Sequence, residues 1–208
     1  MRDSANITVV KLGGSQACSP HLRDWLAAIA RGAGGVVVVP GGGPFADAVR
    51  AAQPIMGFDD RAAHRMALLA MEQYAWALAA LEPSLVPAET IVAIRRALEA
   101  DQIPIWMPCR MAAAAPDLAA SWDVTSDSLA AWLAGRLGAR HLVLIKQVDI
   151  DGPKRVGELC AGGVVDPALE GFLQTSGLEA RILGPQDYSV AGAAFARREI
   201  VGRRIEVV

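Results

Sequence analysis

Short apolar runs recur along the chain, each emptying into glycines or polar residues, and stretches of helical spacing lie between them. Residues 7–12 read as an apolar strand, and 36–39 are a continuous apolar run of the kind buried on both faces of a parallel sheet. Residues 103–107, 141–145, 180–183 and 205–208 extend the series of strands. Between the first two, residues 21–31 set Leu22, Trp25, Leu26 and Ile29 on one helical face, closed by the glycines of 32–35. Pro44 suits the first turn of a helix that runs to about residue 52, ahead of Pro54. Residues 61–81 read as a long helix, apolar nearly all round, ended by Pro83. Residues 87–100 read as another helix, and 112–122 as a lid-like connection with little pattern. Thr125 or Ser126 can cap a helix that reaches Leu137 and stops at Gly138. Helices over 166–174 and 186–198 complete the pattern. The alternation predicts an α/β fold with a mostly parallel sheet, in one domain over residues 1–208, with ligands gathered at the carboxyl ends of the strands.

Composition narrows the function classes. At 208 residues, 53% hydrophobic and 20% charged, the chain can bury a sizeable core and is not of the disordered class. A net charge of −2 without a basic block argues against nucleic acid as a partner. Residues 1–6 are polar and lead into a short strand, not a signal-peptide core. The longest apolar stretch, 66–81, is broken by Glu72 and Gln73, so no membrane span is expected, and a cytoplasmic location is. Cys18, Cys109 and Cys160 are odd in number and lack a CxxC spacing, which suits free thiols in a reducing compartment. His21, His64 and His141 form no metal-binding cluster, so no structural zinc site is expected.

Basic residues carry more information. Seventeen of the 20 are arginine; the lysines are Lys11, Lys146 and Lys154, all at or just after predicted strand ends. Where arginine does the work of surface solvation, a lysine at a strand end points to chemistry that needs a compact ammonium. Lys11 precedes Gly13-Gly14-Ser15, and the second strand exits through Pro40-Gly41-Gly42-Gly43-Pro44. Glycine exits let backbone N–H groups come close to an anion with no Cβ in the way. Two of them suggest a site that holds two phosphate-bearing groups face to face. No GxxxxGK[ST] occurs, which excludes a P-loop NTPase. Residues 41–46 match GxGxxA, with Asp59 and Asp60 near the place of a ribose-binding acid. Those aspartates precede a helix instead of ending a second strand, and Pro40 interrupts the turn, which weighs against a dinucleotide site.

The strand exit of Lys11 to Ser15, the Pro-Gly-Gly-Gly-Pro turn, Thr125-Ser126-Asp127-Ser128-Leu129-Ala130 and the loop Val148-Asp149-Ile150-Asp151-Gly152 resemble the amino acid kinase superfamily in order and spacing. The resemblance covers nearly the whole chain and implies a three-layer sandwich. Ala63-His64-Arg65-Met66-Ala67 and Met71-Glu72-Gln73-Tyr74, with the short length, are most similar to the kinases of methanofuran biosynthesis. Those convert an aminomethylfuran-methyl phosphate to its diphosphate with ATP.

The resemblance implies a phosphotransferase that uses ATP and Mg2+ on a small phosphorylated molecule, with no metal-ligand set assigned to the protein. Lys11 would neutralise the transferred phosphoryl group, and Asp127 would orient Lys11 by a charge-assisted hydrogen bond. An ordinary first-turn acid favoured by the helix dipole is the plainer account of Asp127. Gly13, Gly14 and Ser15 would cradle the nucleotide phosphates, and Gly41, Gly42 and Gly43 the acceptor. Lys146 and Lys154 compete to be the second cation. The loop ending at Gly152 has one residue more than the usual family loop, which leaves open which of Asp149, Asp151 and Lys154 faces the nucleotide. Asp59, Asp60, Glu72 and Tyr74 are the candidates to meet an ammonium on the acceptor. The same fold can also serve as a store or sensor of oxyanions without catalysis. Helix 61–81 carries more apolar residues than one sheet can cover, and with the resemblance this implies a homodimer.

Overall fold

The computed structural model describes residues 7–207; the polar stretch 1–6 and Val208, the last position of the expected final strand, lie outside the described residues. The most apolar runs form the centre. Strands β1 (Thr8–Leu12) and β2 (Val36–Pro40) lie parallel, with Thr8 beside Val36 and Leu12 beside Pro40, and every residue of both is buried. On the other side of β1, β5 (His141–Ile145) is also parallel, with Thr8 beside His141 and Leu12 beside Ile145. Strands β4 (Ile103–Trp106) and β3 (Leu85–Ala88) extend the sheet beyond β2, and β7 (Glu179–Leu183) extends it beyond β5. Strand β8 (Arg203–Glu206) pairs antiparallel with β7, and the short β6 (Lys154–Arg155) lies along its outer edge. The order of the eight is β3-β4-β2-β1-β5-β7-β8-β6.

Alternation of side chains divides the core in two. Val9, Val37, Val39, Leu142 and Leu144 point to one side, packed with α4 (Ile91–Glu99), α6 (Ser126–Leu137) and α8 (Leu169–Ser176). Val10, Leu12, Val36, Val38, Val143 and Ile145 point to the other, packed with α1 (Leu22–Ala30), α9 (Tyr188–Arg197) and the later part of α3 (Asp60–Leu81). Helices on both faces make three layers, and strands covered on both sides have no use for a polar face. Helix α6 is the most enclosed. Its Ala130, Ala131 and Ala134 allow close approach to the sheet, and Trp132 lies 5.9 Å from Trp106, ring centre to ring centre.

Several expected boundaries shift. Helix α2 (Gly43–Met56) continues through Pro54 and ends at Gly57, whose φ of +75° suits glycine. Residues 87–100 are not one helix: Leu85–Ala88 is a strand, and α4 starts only after Thr90, whose side chain accepts from the backbone N–H of Ala93. Proline is tolerated there because β3 is an edge strand. A 3-10 turn (Gly14–Cys18), α5 (Cys109–Ala112), α7 (Val156–Ala161) and β6 are further elements the periodicity does not announce. Helix α8 begins at Leu169 instead of 166, because Asp166 is engaged elsewhere, and β8 lies two residues earlier than expected. The three cysteines are free, with Cys18 exposed and the others half-buried.

Candidate active site

Strands β1 and β5 end side by side, Lys11 level with Leu144, and Lys146 directly follows β5. Alternation turns Lys11 to the same face as Val9 and Lys146 to the same face as Leu144, which is the face that α6 covers. Asp127 in the first turn of α6 meets both. Lys146 Nζ donates to Asp127 Oδ2 at 2.6 Å, and Lys11 Nζ lies 2.9 Å from Oδ1, an ion pair outside hydrogen-bonding angles. Lys11 and Asp127 are 5% and 3% exposed, so the two ammonium groups and the carboxylate form a nearly dry cluster. Burial alone would raise the Asp127 pKa, but Lys11 and Lys146 outweigh it and hold the carboxyl below its usual range. Burial, with the neighbouring Lys11 charge, lowers the Lys146 ammonium to about 8, against the opposing pull of Asp127.

The two glycine turns press against each other. A β-carbon on Gly14 would overlap the backbone nitrogen of Gly43, and one on Gly41 would overlap that of Gly14. Glycine is therefore required by contact between the loops as well as by any anion. Gly43 also has φ of +55°. The N–H of Gly41 is already spent, donating to the carbonyl of Leu12 at 2.8 Å.

Lys11, Asp127 and Lys146 open into a cavity of about 690 Å³. Gly13, Gly14, Ser15, Gly42 and Gly43 line it beside them. Helix α2 adds Ala46, Asp47 and Arg50; α3 adds His64, Ala67, Leu68 and Met71, spaced i, i+3, i+4, i+7 on one face. The turn of residues 162–167 forms a further wall, and the connection before α6 contributes Ser121, Trp122, Val124 and Thr125. That connection is fastened to α2. Trp122 Nε1 donates to Gln53 Oε1 at 2.7 Å, and the Arg50 guanidinium lies 4.3 Å over the indole.

The structure brings together Lys11, Gly13, Gly14, Ser15, Gly42, Gly43, Asp127 and Lys146. Other residues singled out by sequence have different employment. Asp59 caps α3 by accepting from the Ala62 N–H at 2.8 Å, and Asp60 accepts from Gln53 Nε2 at 2.8 Å. Glu72 accepts from the Cys109 N–H at 2.8 Å. Tyr74 is buried behind Gly43, with its hydroxyl pKa pushed up by burial and then by Cys18. Gly41, Asp149, Asp151, Gly152 and Lys154 lie off the cavity lining; Asp149, Asp151 and Gly152 are exposed, and Lys154 sits in β6 beside Ile205. Sequence reasoning missed His64 as a site residue. Its Nε2 is buried without a hydrogen-bond partner, and burial lowers its pKa, so the ring is neutral at pH 7. The signal was its place one turn ahead of Ala67 and Leu68 on their own face.

This chain belongs to the amino acid kinase family, whose sequence model matches residues 6–158. It is 27% identical over 144 residues to the [5-(aminomethyl)furan-3-yl]methyl phosphate kinase of Methanocaldococcus jannaschii. The match takes in 68% of this chain and 66% of the relative, so it spans just under two thirds of the relative's length. The fold resembles the uridylate kinase of Archaeoglobus fulgidus with a TM-score of 0.67 at 18% identity, over 96% of this chain and all 100% of the other. An isopentenyl phosphate kinase matches with a TM-score of 0.62 at 17% identity, over 96% of this chain and 100% of the other. At such identities the two structures speak for the fold.

Proposed function

We propose that the protein is an ATP-dependent phosphotransferase that converts a small phosphomonoester to its diphosphate. The observation that carries this reading is the pair of ammonium groups, Lys11 and Lys146, held on one buried carboxylate in a cavity that the two glycine turns also line. Phosphoryl transfer passes through a loose transition state whose charge is spread over the equatorial oxygens, so positioning and fixed cations do most of the work. Asp127, kept ionised by two lysines, serves to aim them and not as a base. A phosphate acceptor is already anionic and needs no base.

The site fits a nucleotide triphosphate: a cationic floor, glycine backbone at the rim, and turn 162–167 as a further wall. Bound there, MgATP would supply the phosphoryl group and screen its charge. Among the described residues no group of three or more His, Cys, Asp or Glu could hold a metal, so the ion would be carried on phosphate oxygens and water. Gly13, Gly14, Ser15 and Lys146 would face the nucleotide. Gly42 and Gly43, at the start of α2, would face the acceptor phosphate, with neutral His64 offering its unpartnered ring nitrogen.

Aminomethylfuran-methyl phosphate is the leading acceptor, on the strength of the relative's name and the apolar α3 face of Ala67, Leu68 and Met71. Its ammonium would meet Asp47, the acid on α2 that lines the cavity, in place of the four acids and aromatics favoured by sequence. Exposed Met66, Leu69, Trp76 and Leu81 on α3, with Ile55 and Met56 ending α2, would be covered in a homodimer. The test of function is ADP release across aminomethylfuran-methyl phosphate, isopentenyl phosphate, UMP, glutamate, aspartate and carbamate. Turnover led by a phosphomonoester is expected. Faster turnover on a carboxylate or carbamate overturns the acceptor class, and silence throughout with ATP still bound favours an oxyanion store or sensor.

A further inference from the structure

Asp166 lies in the turn between α7 and α8, far along the chain from the catalytic helix, yet it is 7% exposed and its carboxylate is committed to that helix. Oδ2 accepts from the Thr125 N–H at 3.0 Å, the Thr125 hydroxyl at 2.7 Å and the Ser128 N–H at 3.0 Å, and Oδ1 accepts from the Ser128 hydroxyl. The Ala168 N–H donates to the Asp123 carbonyl at 3.1 Å, so the turn and the start of α6 are joined at two places. Thr125 makes no capping bond of its own to α6. Orphan N–H groups at that helix start are satisfied from outside by an acid that also lines the cavity.

Asp127 sits between the two residues that Asp166 holds. We propose that Asp166 is a positioning residue: by fixing the first turn of α6 it sets the reach of Asp127 to Lys11 and Lys146, and it ties the 162–167 wall of the cavity to that cationic pair. The proposal rests on the phosphotransferase reading for what the lysines do, but its geometry does not depend on the identity of the acceptor. An ordinary capping acid would contribute only stability. A positioning acid also changes how firmly the lysines are held.

The chain offers a direct readout, because its lysines are only Lys11, Lys146 and Lys154. Protein labelled with 13C at lysine Cε gives three side-chain signals, assigned by Lys154→Arg and Lys11→Arg, whose pH titrations need no substrate. Lys146 is faced by Asp127 from α6 and by Lys11 from β1, while Asp47 and Arg50 of α2 and His64 of α3 line the same cavity. Loosening Asp127 should therefore let the Lys146 midpoint fall below its wild-type value near 8. Asp166→Asn should lower it by about half a unit or more, since an opposite charge at close range is worth one to three units. Ser128→Ala changes no charge and should lower it in the same direction by less. Turnover in Asp166→Asn should drop roughly tenfold to a hundredfold, the scale of a small misplacement. An unmoved Lys146 midpoint in both variants overturns the proposal. So does a shift in Asp166→Asn alone, which would mark a charge effect through space. If the titrations shift as expected and no acceptor is phosphorylated, the reading of function fails and the role of Asp166 stands.

Discussion

Two ammonium groups share one buried carboxylate, and removing Asp127 leaves two like charges facing each other without a counter-charge. If Lys11 acts on the transferred group, Lys11→Ala should lower kcat by roughly a hundredfold to a thousandfold with little change in nucleotide affinity, the mark of an interaction made at the barrier. Lys11→Arg should rescue poorly, because the ammonium is buried 2.9 Å from Asp127 Oδ1 and a planar guanidinium needs more room. Equilibrium denaturation of Asp127→Asn should show a loss of about 3–5 kcal/mol, the usual cost of breaking a buried ion pair from one side. Lys146 gives the pH dependence its sign. It is charged below about 8 in the free protein and loses its proton as pH rises through that value, so kcat/KM should be level at neutral pH and fall on the alkaline side. A kcat/KM profile flat to pH 10 would remove Lys146 from the chemistry.

At the scale of elements, what burial dictates was legible and what local bonding dictates was not. Val36 to Val39 announces a strand covered on both faces, and Lys11 with the glycines after it announces a site at the strand end. Pro87, by contrast, reads as the start of a helix but sits in an edge strand, where a missing N–H costs nothing. Asp166 reads as a helix start and is instead the cap of another helix about 40 positions earlier in the chain, a long-range bond that no local pattern encodes. Asp59 and Glu72 look like ligands because they are acids near the site, and each is used on a helix terminus. The connection before α6 showed no pattern because what holds it is tertiary, Trp122 on Gln53 and Arg50. Trp122→Ala should free that connection and raise the KM for the acceptor about fivefold, the worth of roughly 1 kcal/mol, with ATP affinity unchanged. Steady-state kinetics with each substrate varied in turn distinguishes this from general weakening, in which both constants would change.

The whole molecule is a sheet with helices on both faces, and its reactive groups collect where β1 and β5 end beside the start of α6. The amino acid kinase family supplies the class, and the exposed side of α3 supplies a reason to associate. Leu68, Met71 and Leu78 are buried, whereas Trp76 remains 61% exposed and Leu69 47%. Sedimentation at micromolar concentration should therefore give about twice the 21.9 kDa of one chain, and a mass near one chain would refute the dimer. The central claim is that a phosphate attacks a phosphate. 31P NMR of the products formed from ATP and aminomethylfuran-methyl phosphate tests it most directly. The acceptor's single resonance should give way to two mutually coupled doublets as ADP accumulates in equal amount. Inorganic phosphate and ADP as the only new signals, with the acceptor resonance unchanged, would contradict it.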